Sequence, residues 1–331
     1  MPRPKATEVN AAGMPITINH FAGQSRVRRQ IQVALEASWN DCCRLPHILM
    51  SGPPGLGKTL LAEIIAGEMG VSLRSALGQT LRTPQDLHSF LVEAEERDVL
   101  LIDEADELGV FAQTSLYRAL ENNVMFLPSG HMSGIQQVPL EKFTMILCTN
   151  HEGVLAAPLR DRFRMTLRFD YYSIDELVLL LHQRANALGW TITDGLHFDI
   201  AIISRGTPRV ALRLLEACWR SARASQKNEI DRAVFDDMLD LEDIDSQFGL
   251  DRVERTYLNV LAESNSPTRL QTLCRRLGIP RGSLVNITED YLVRIGLIEA
   301  DDMGRQLTDK GRICLEEIEA MEADREEDIE C

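Results

Sequence analysis

The sequence predicts an α/β fold on a doubly wound parallel sheet, followed by a small helical segment and a terminal winged helix-turn-helix. Three observations predict it. Short apolar runs ending in polar residues alternate with segments of helical period up to about Asp170. The pattern beyond is helical. After Gln247-Phe248-Gly249 come three short helical stretches and then two extended pieces around a turn.

Between Gln24 and Ser38, Val27, Ile31, Ala34 and Leu35 recur at i, i+4, i+7 and i+8, which puts one apolar face on a helix and leaves Val33 off it. His47-Ile48-Leu49-Met50 reads as a buried strand. It runs into Gly52-Pro53-Pro54-Gly55-Leu56-Gly57-Lys58-Thr59, a match to G-x-x-x-x-G-K-[ST], and then into the helical run Leu60–Ala66. Glycines let such a loop curl its N–H groups toward phosphates, and the helix N-terminus adds partial positive charge. Lys58 is placed for the β- and γ-phosphates and Thr59 for Mg²⁺. Val99-Leu100-Leu101-Ile102 is a second buried strand, ending in Asp103-Glu104. Asp103 is placed to meet Mg²⁺ opposite Thr59, and Glu104 to polarise an attacking water. A helix is predicted over Val110–Glu121, and a third buried strand over Phe143–Cys148 ends at Thr149-Asn150, polar groups suited to orient that water.

Between them, Val124–Leu127 and Ile135–Val138 flank a Gly/Ser-rich turn, the signature of an inserted β-hairpin. It serves either core packing or docking. Leu159-Arg160-Asp161-Arg162-Phe163-Arg164 concentrates arginines, as a surface ion-pair cluster or as an arginine finger offered across a subunit boundary. Gly206-Thr207-Pro208-Arg209 opens a helix with Pro in the first turn, and Arg209 is either structural or a reporter on the nucleotide. Helices are predicted over Ile174–Leu188, Phe198–Ser204, Val210–Ala224 and Asp231–Leu239. Val253–Glu263, Leu270–Leu277 and Leu284–Ile295, with Gly296–Glu299 and Arg305–Thr308, then form the winged domain, which binds DNA or a protein.

The net charge of −15, from 50 acidic and 35 basic residues, excludes a generally basic nucleic-acid coat but not a local patch. No apolar run approaches membrane-spanning length, and Met1-Pro2-Arg3-Pro4-Lys5 carries no secretory signal, so a cytoplasmic protein is expected. The seven cysteines, Cys42, Cys43, Cys148, Cys218, Cys274, Cys314 and Cys331, are scattered and never spaced as CxxC, so neither a zinc site nor a disulfide framework is expected.

From about His20 to Leu315 the chain resembles the RuvB family of AAA+ ATPases. The likeness is carried by Phe21-Ala22-Gly23-Gln24, Gly52–Thr59, Ile102-Asp103-Glu104, the hairpin, Ala157–Phe163, Ser204–Arg209, Gly249-Leu250-Asp251, Tyr291-Leu292 and Gly296-Leu297. The resemblance implies an ATP- and Mg²⁺-dependent motor that migrates Holliday junctions in recombination and repair. A loader or remodeller of the same ATPase class is the alternative. It implies that Gly52, Pro53, Pro54, Gly55, Leu56, Gly57, Lys58, Thr59 and Leu60 surround the nucleotide, that Thr59 and Asp103 hold Mg²⁺, and that Glu104 is catalytic. Thr149 and Asn150 become sensor 1. Arg162 becomes the finger acting in trans, with Arg160 beside it, and Arg209 becomes sensor 2. A RuvA-like partner docks on the 124–138 hairpin, the subunits form a hexameric ring, and duplex DNA meets the winged domain, with Arg305 as the candidate phosphate contact.

The domain expectation is a flexible segment 1–18, an ATPase domain 19–168, a helical lid 169–246, a winged domain 247–318 and an acidic tail 319–331. The chain departs from the family pattern at Ala105-Asp106, where Ile-His is usual, at Thr149-Asn150-His151, where Thr-Thr-Arg is usual, at Arg164, where Gly is usual, and in the wing. There Glu299-Ala300-Asp301-Asp302-Met303-Gly304-Arg305 replaces a basic run.

Overall fold

The computed structural model describes residues 14–128, 135–264 and 266–330. The predicted flexible segment therefore falls outside the described residues up to Gly13. So do the hairpin turn Ser129–Gly134 and Cys331. The chain divides into two compact units, Met1–Trp190 with Gly206–Arg213, and Thr191–Arg205 with Leu214–Cys331.

The first unit runs α1 (Ser25–Asn40), β1 (Ile48–Ser51), α2 (Lys58–Met69), β2 (Leu73–Leu77), α3 (Pro84–Val92), β3 (Val99–Asp103), α4 (Val110–Asn122), β4 (Val124–Pro128), β5 (Ile135–Pro139), β6 (Thr144–Thr149), α5 (Ala157–Arg160), β7 (Met165–Arg168) and α6 (Ile174–Leu188). Its sheet is ordered β2-β3-β6-β1-β7, with every adjacent pair parallel. The predicted strands β1, β3 and β6 are the three interior ones, and each is an almost wholly buried apolar run. The strands that the apolar pattern did not single out are β2 and β7. Both lie at sheet edges, where an arginine in each breaks the apolar run. The register sets Ser51 beside Thr149 and Ile102 beside Leu147, so the C-terminal ends of the interior strands finish together. That is where a doubly wound sheet presents its ligand site.

Helix α1 buries Val27, Ile31 and Leu35, as its periodicity requires, and leaves Val33 outside. Helix α3 starts on a capping box in which Thr83 and Asp86 each satisfy the other's backbone N–H, a stabilisation of about 1 kcal/mol. The hairpin strands pair antiparallel with Met125 opposite Val138, and both join the core that contains Leu116, Leu120 and Phe143.

The second unit contains β8 (Thr191–Ile192), α7 (Leu196–Ile203), most of α8 (Pro208–Ala224), β9 (Glu229–Ile230), α9 (Arg232–Glu242), α10 (Arg252–Ala262), α11 (Leu270–Leu277), α12 (Arg281–Ser283), a π-helical turn Leu284–Glu289, α13 (Asp290–Arg294), the wing strands β10 (Ile298–Ala300) and β11 (Arg305–Leu307), and α14 (Asp309–Glu330). The helix expected over Leu284–Ile295 is thus a π turn followed by a short α-helix. The π turn carries Glu289, a buried carboxylate bonded to Tyr257 and Arg305. The break at Gln247–Gly249 is a tight, bonded turn. Asp245 accepts from the backbone N–H groups of Gln247 at 2.9 Å and Phe248 at 2.7 Å, and also from that of Leu250. Arg205 lays its guanidinium on Glu254 at 2.6 and 2.8 Å, while burial pushes the Glu254 carboxyl up to about 7 against the pull of that arginine. The backbone of the expected acidic tail continues α14 as far as Glu330.

Candidate nucleotide site

The ends of β3 and β6, the loop into α2, helix α6 and the start of α8 surround a cavity of about 770 Å³ within the first unit. That is a size suited to a nucleotide-sized ligand. Lys58, Thr59, Asp103, Glu104, Asn150 and Arg209 line one part of it. Phe21, Ala22, Tyr172, Leu180 and Leu212 line another. Polar groups suited to phosphates and apolar groups suited to a base therefore line the same cavity.

The geometry follows from local sequence. Gly57 precedes α2 with φ 93°, and a Cβ there would sit 3.1 Å from the Phe21 ring. Only glycine accepts that backbone at no steric cost. Helix α2 then begins at Lys58, whose ammonium is buried and donates to Gly52 O at 2.6 Å, Pro53 O at 2.8 Å and Asn150 Oδ1 at 2.9 Å. Burial lowers the Lys58 pKa, while the carboxylates of Asp103 and Asp106 oppose that shift. Thr59 Oγ1 donates to Asp103 Oδ2 at 2.6 Å. A hydroxyl and a carboxylate oxygen side by side at the cavity wall fit Mg²⁺, a hard ion commonly held by one or two protein oxygens together with substrate phosphates and water. Among the described residues no cluster of three or more His, Cys, Asp or Glu could form an all-protein metal cage.

Glu104 follows with φ 52°, a left-handed backbone that a non-glycine residue holds only under constraint. Its N–H donates to Asp103 Oδ1 at 2.9 Å. Gly78 packs beneath it, since a Cβ at that position would lie 2.1 Å from Glu104 O. Thr149 Oγ1 and Asn150 N both donate to Asp106 Oδ1, at 2.8 and 3.3 Å. The backbone N–H of Arg209 donates to Gly55 O at 3.3 Å, which ties the start of α8 to the phosphate loop. Tyr172 O–H donates to Leu56 O at 3.4 Å from another side.

The structure therefore brings Pro54, Gly55, Gly57, Lys58, Thr59, Leu60, Asp103, Glu104, Asn150 and Arg209 to one cavity, whereas Leu56 and Thr149 are not among its lining residues. Gly52 and Pro53 reach it through their carbonyls on Lys58. Arg160 and Arg162 are not among its lining residues. Half-buried Arg162 donates to Glu121 Oε1 at 2.7 Å. Arg305, the candidate phosphate contact, is placed otherwise than such a contact requires. Its Nε and Nη2 donate to the two oxygens of Glu289, each at 3.0 Å, and its side chain is only 17% exposed. Residue spacing missed Asp106, Gly78 and the apolar wall of Tyr172, Leu180 and Leu212, because only the fold brings them to the motif. For Asp106 a signal did exist, in its departure from the family pattern.

The chain matches three family models end to end. They are the Holliday junction DNA helicase RuvB P-loop domain over residues 14–169, the RuvB AAA lid domain over 172–245 and the RuvB C-terminal winged helix domain over 247–316. It is 36% identical over 300 residues to the Holliday junction branch migration complex subunit RuvB of Neorickettsia sennetsu, covering 89% of this chain and 90% of that one. Among solved structures it is similar to the Thermotoga maritima RuvB Holliday junction branch migration motor, with 31% identity and a TM-score of 0.79 over 91% of this chain and 97% of that one. Its similarity to a point mutant of the same Thermotoga maritima protein gives 31% identity and a TM-score of 0.81 over 91% of this chain and 98% of that one.

Proposed function

The chain belongs to the RuvB family, and from that premise we propose that it is an ATP-driven motor of Holliday junction branch migration. The observation that carries this reading is the convergence of Lys58, Thr59, Asp103, Glu104, Asn150 and Arg209 on one cavity. The P-loop backbone and Lys58 seat the phosphates of ATP. Thr59 and Asp103 would hold Mg²⁺, which when bound would supply charge neutralisation for the phosphates. Glu104 takes up the proton of the attacking water, Asn150 orients that water beside Lys58, and Arg209 meets the phosphates from the start of α8. The apolar wall around Phe21, Tyr172 and Leu212 takes the base.

Arg162 completes the site of a neighbouring subunit in trans, with Arg160 beside it. Within one chain its guanidinium is paired with Glu121, so the neighbour's site has to draw it off that carboxylate. This calls for a closed ring, which we place at six subunits from the family. A RuvA-like protein docks on the 124–138 hairpin, and duplex DNA is the substrate. For the DNA contact, the stretch Ser264–Thr288 contains four arginines and no acid in a chain of net charge −15. Arg269, Arg275, Arg276 and Arg281 are all exposed, whereas the wing residues Glu299, Asp301 and Asp302 would repel phosphates. We therefore place the DNA contact on α11 and α12. No described helix is long and apolar enough to cross a membrane.

The test is ATP-dependent migration of a synthetic four-way junction with the cognate RuvA-like protein added and Lys58→Ala as control. Migration that is lost in the control supports the motor. ATP hydrolysis without migration moves the chain to the loader or remodeller reading.

A further inference from the structure

We infer that Asp106 is a positioning residue of the nucleotide site, clamping the Thr149–Asn150 strand end so that Asn150 is fixed against Lys58. This rests on the ATPase reading of the cavity and adds to it a residue outside the motifs.

Asp106 sits in a single short turn after β3. Residues Ala105–Glu107 form one 3₁₀ turn, closed by backbone bonds from Glu107 N to Glu104 O at 2.9 Å and from Leu108 N to Ala105 O at 3.2 Å. No side chain caps it, so the turn does not need a carboxylate at position 106. The carboxylate reaches instead to the end of β6. Its Oδ1 accepts from Thr149 Oγ1 at 2.8 Å and from Asn150 N at 3.3 Å. Thr149 is only 1% exposed, so its hydroxyl has no water to fall back on. Thr149 Oγ1 in turn accepts from His151 N at 3.0 Å, which fixes the residue on the far side of Asn150 as well.

One carboxylate oxygen and one hydroxyl thus bracket Asn150 from both sides. The held residue is the one whose Oδ1 accepts from Lys58 Nζ at 2.9 Å. With one lone pair of that oxygen given to Lys58, the amide NH₂ is the donor that Asn150 can offer to the cavity it lines. Hydrolysis is sensitive to such placement at the level of about 1 Å, whereas phosphate binding by the P-loop backbone is not. The Glu104–Leu108 turn after β3 and the Thr149–Asn150 end of β6 are therefore one hydrogen-bonded unit through Asp106. Its charge also acts on Lys58, where it opposes the effect of burial on the ammonium.

The experiment uses the full chain and measures kcat and KM for ATP, the Kd of a fluorescent ATP analogue, and Tm. The variants are Asp106→Ala, Asp106→Asn, Thr149→Val and the Asp106→Ala/Thr149→Val pair. We expect Asp106→Ala to lower kcat roughly 10- to 100-fold while the analogue's Kd stays within about threefold. Asp106→Asn keeps an acceptor oxygen for both donors and should recover most of kcat. The double variant should lose less than the product of the two single losses, because both changes remove the Thr149–Asp106 bond, although Thr149→Val also removes the acceptor of His151 N. An Asp106→Ala protein as fast as wild type overturns the inference. So does a parallel fall of kcat, affinity and Tm in both Asp106 variants, which would mark a purely structural role, and so do losses that multiply in the double variant. A wild type that hydrolyses no ATP removes the ATPase reading and this inference together, an outcome distinct from an active wild type indifferent to Asp106.

Discussion

Lys58 in the sheet unit and Arg305 in the winged unit are both largely buried cations, and they are held in different company. Lys58 is bonded to two backbone carbonyls and an amide oxygen, all neutral acceptors, and it lines the nucleotide cavity. Arg305 meets a full counter-charge in Glu289, which also accepts from Tyr257 O–H at 2.7 Å. A cation held by neutral dipoles keeps its charge for a phosphate, whereas one held bidentate by a carboxylate has that charge cancelled inside the fold. The two sites differ less in residue type than in what the tertiary structure sets beside each cation. The first reads as a place for an anionic ligand, and the second as a rivet joining the π turn, α10 and the wing.

The largest effect is expected at the nucleotide site, on catalysis. Glu104→Gln should lower ATP hydrolysis by about 10²- to 10⁴-fold while nucleotide binding stays intact, because it removes the base we propose and leaves Lys58 and the P-loop untouched. Loss of binding in that variant, by equilibrium titration, would mean that Glu104 shapes the pocket rather than acting in it. In the winged unit the large effect should be on stability instead. Glu289→Ala leaves Arg305 uncompensated and should destabilise that unit by about 3–5 kcal/mol, seen in denaturant unfolding, with little change in basal ATPase rate. A variant as stable as wild type would show that the pair is incidental.

His47 adds a third case, a buried base kept neutral. Its Nδ1 accepts from Met145 N at 2.9 Å, and burial, reinforced by Arg44 and Arg164, pushes its pKa from 6.5 down to about 4. Between those values the unfolded chain binds a proton that the folded chain refuses. Stability is therefore full above about pH 6.5 and falls by about 3 kcal/mol as pH drops to about 4. His47→Gln should flatten that dependence in unfolding curves taken across the range, and an unchanged slope would assign it to other groups.

The smallest effect expected is on DNA. Arg275→Ala and Arg281→Ala should each reduce the slope of log affinity against log salt by about 0.9 for duplex DNA, with Arg305→Gln leaving it unchanged. The reverse pattern would restore the wing as the phosphate contact.

The interior strands, α1 and the helix after the P-loop were legible because each carries a periodic or continuous apolar signal that local geometry converts into burial. Edge strands β2 and β7 were not, since partial exposure leaves them no such signal. In the site, G-x-x-x-x-G-K-T and the acidic pair after β3 were legible because phosphate chemistry demands those groups at fixed spacing along one stretch of chain. The sequence by itself therefore determined the fold class, the family and the P-loop domain. Tertiary structure alone decided that Asp106 clamps Thr149 and Asn150, that Gly78 lies against Glu104, and that Arg305 is neutralised by Glu289. The physical reason is that a hydrogen bond, a steric contact or an ion pair depends on distance in space, and these partners lie 43, 26 and 16 positions apart in the chain.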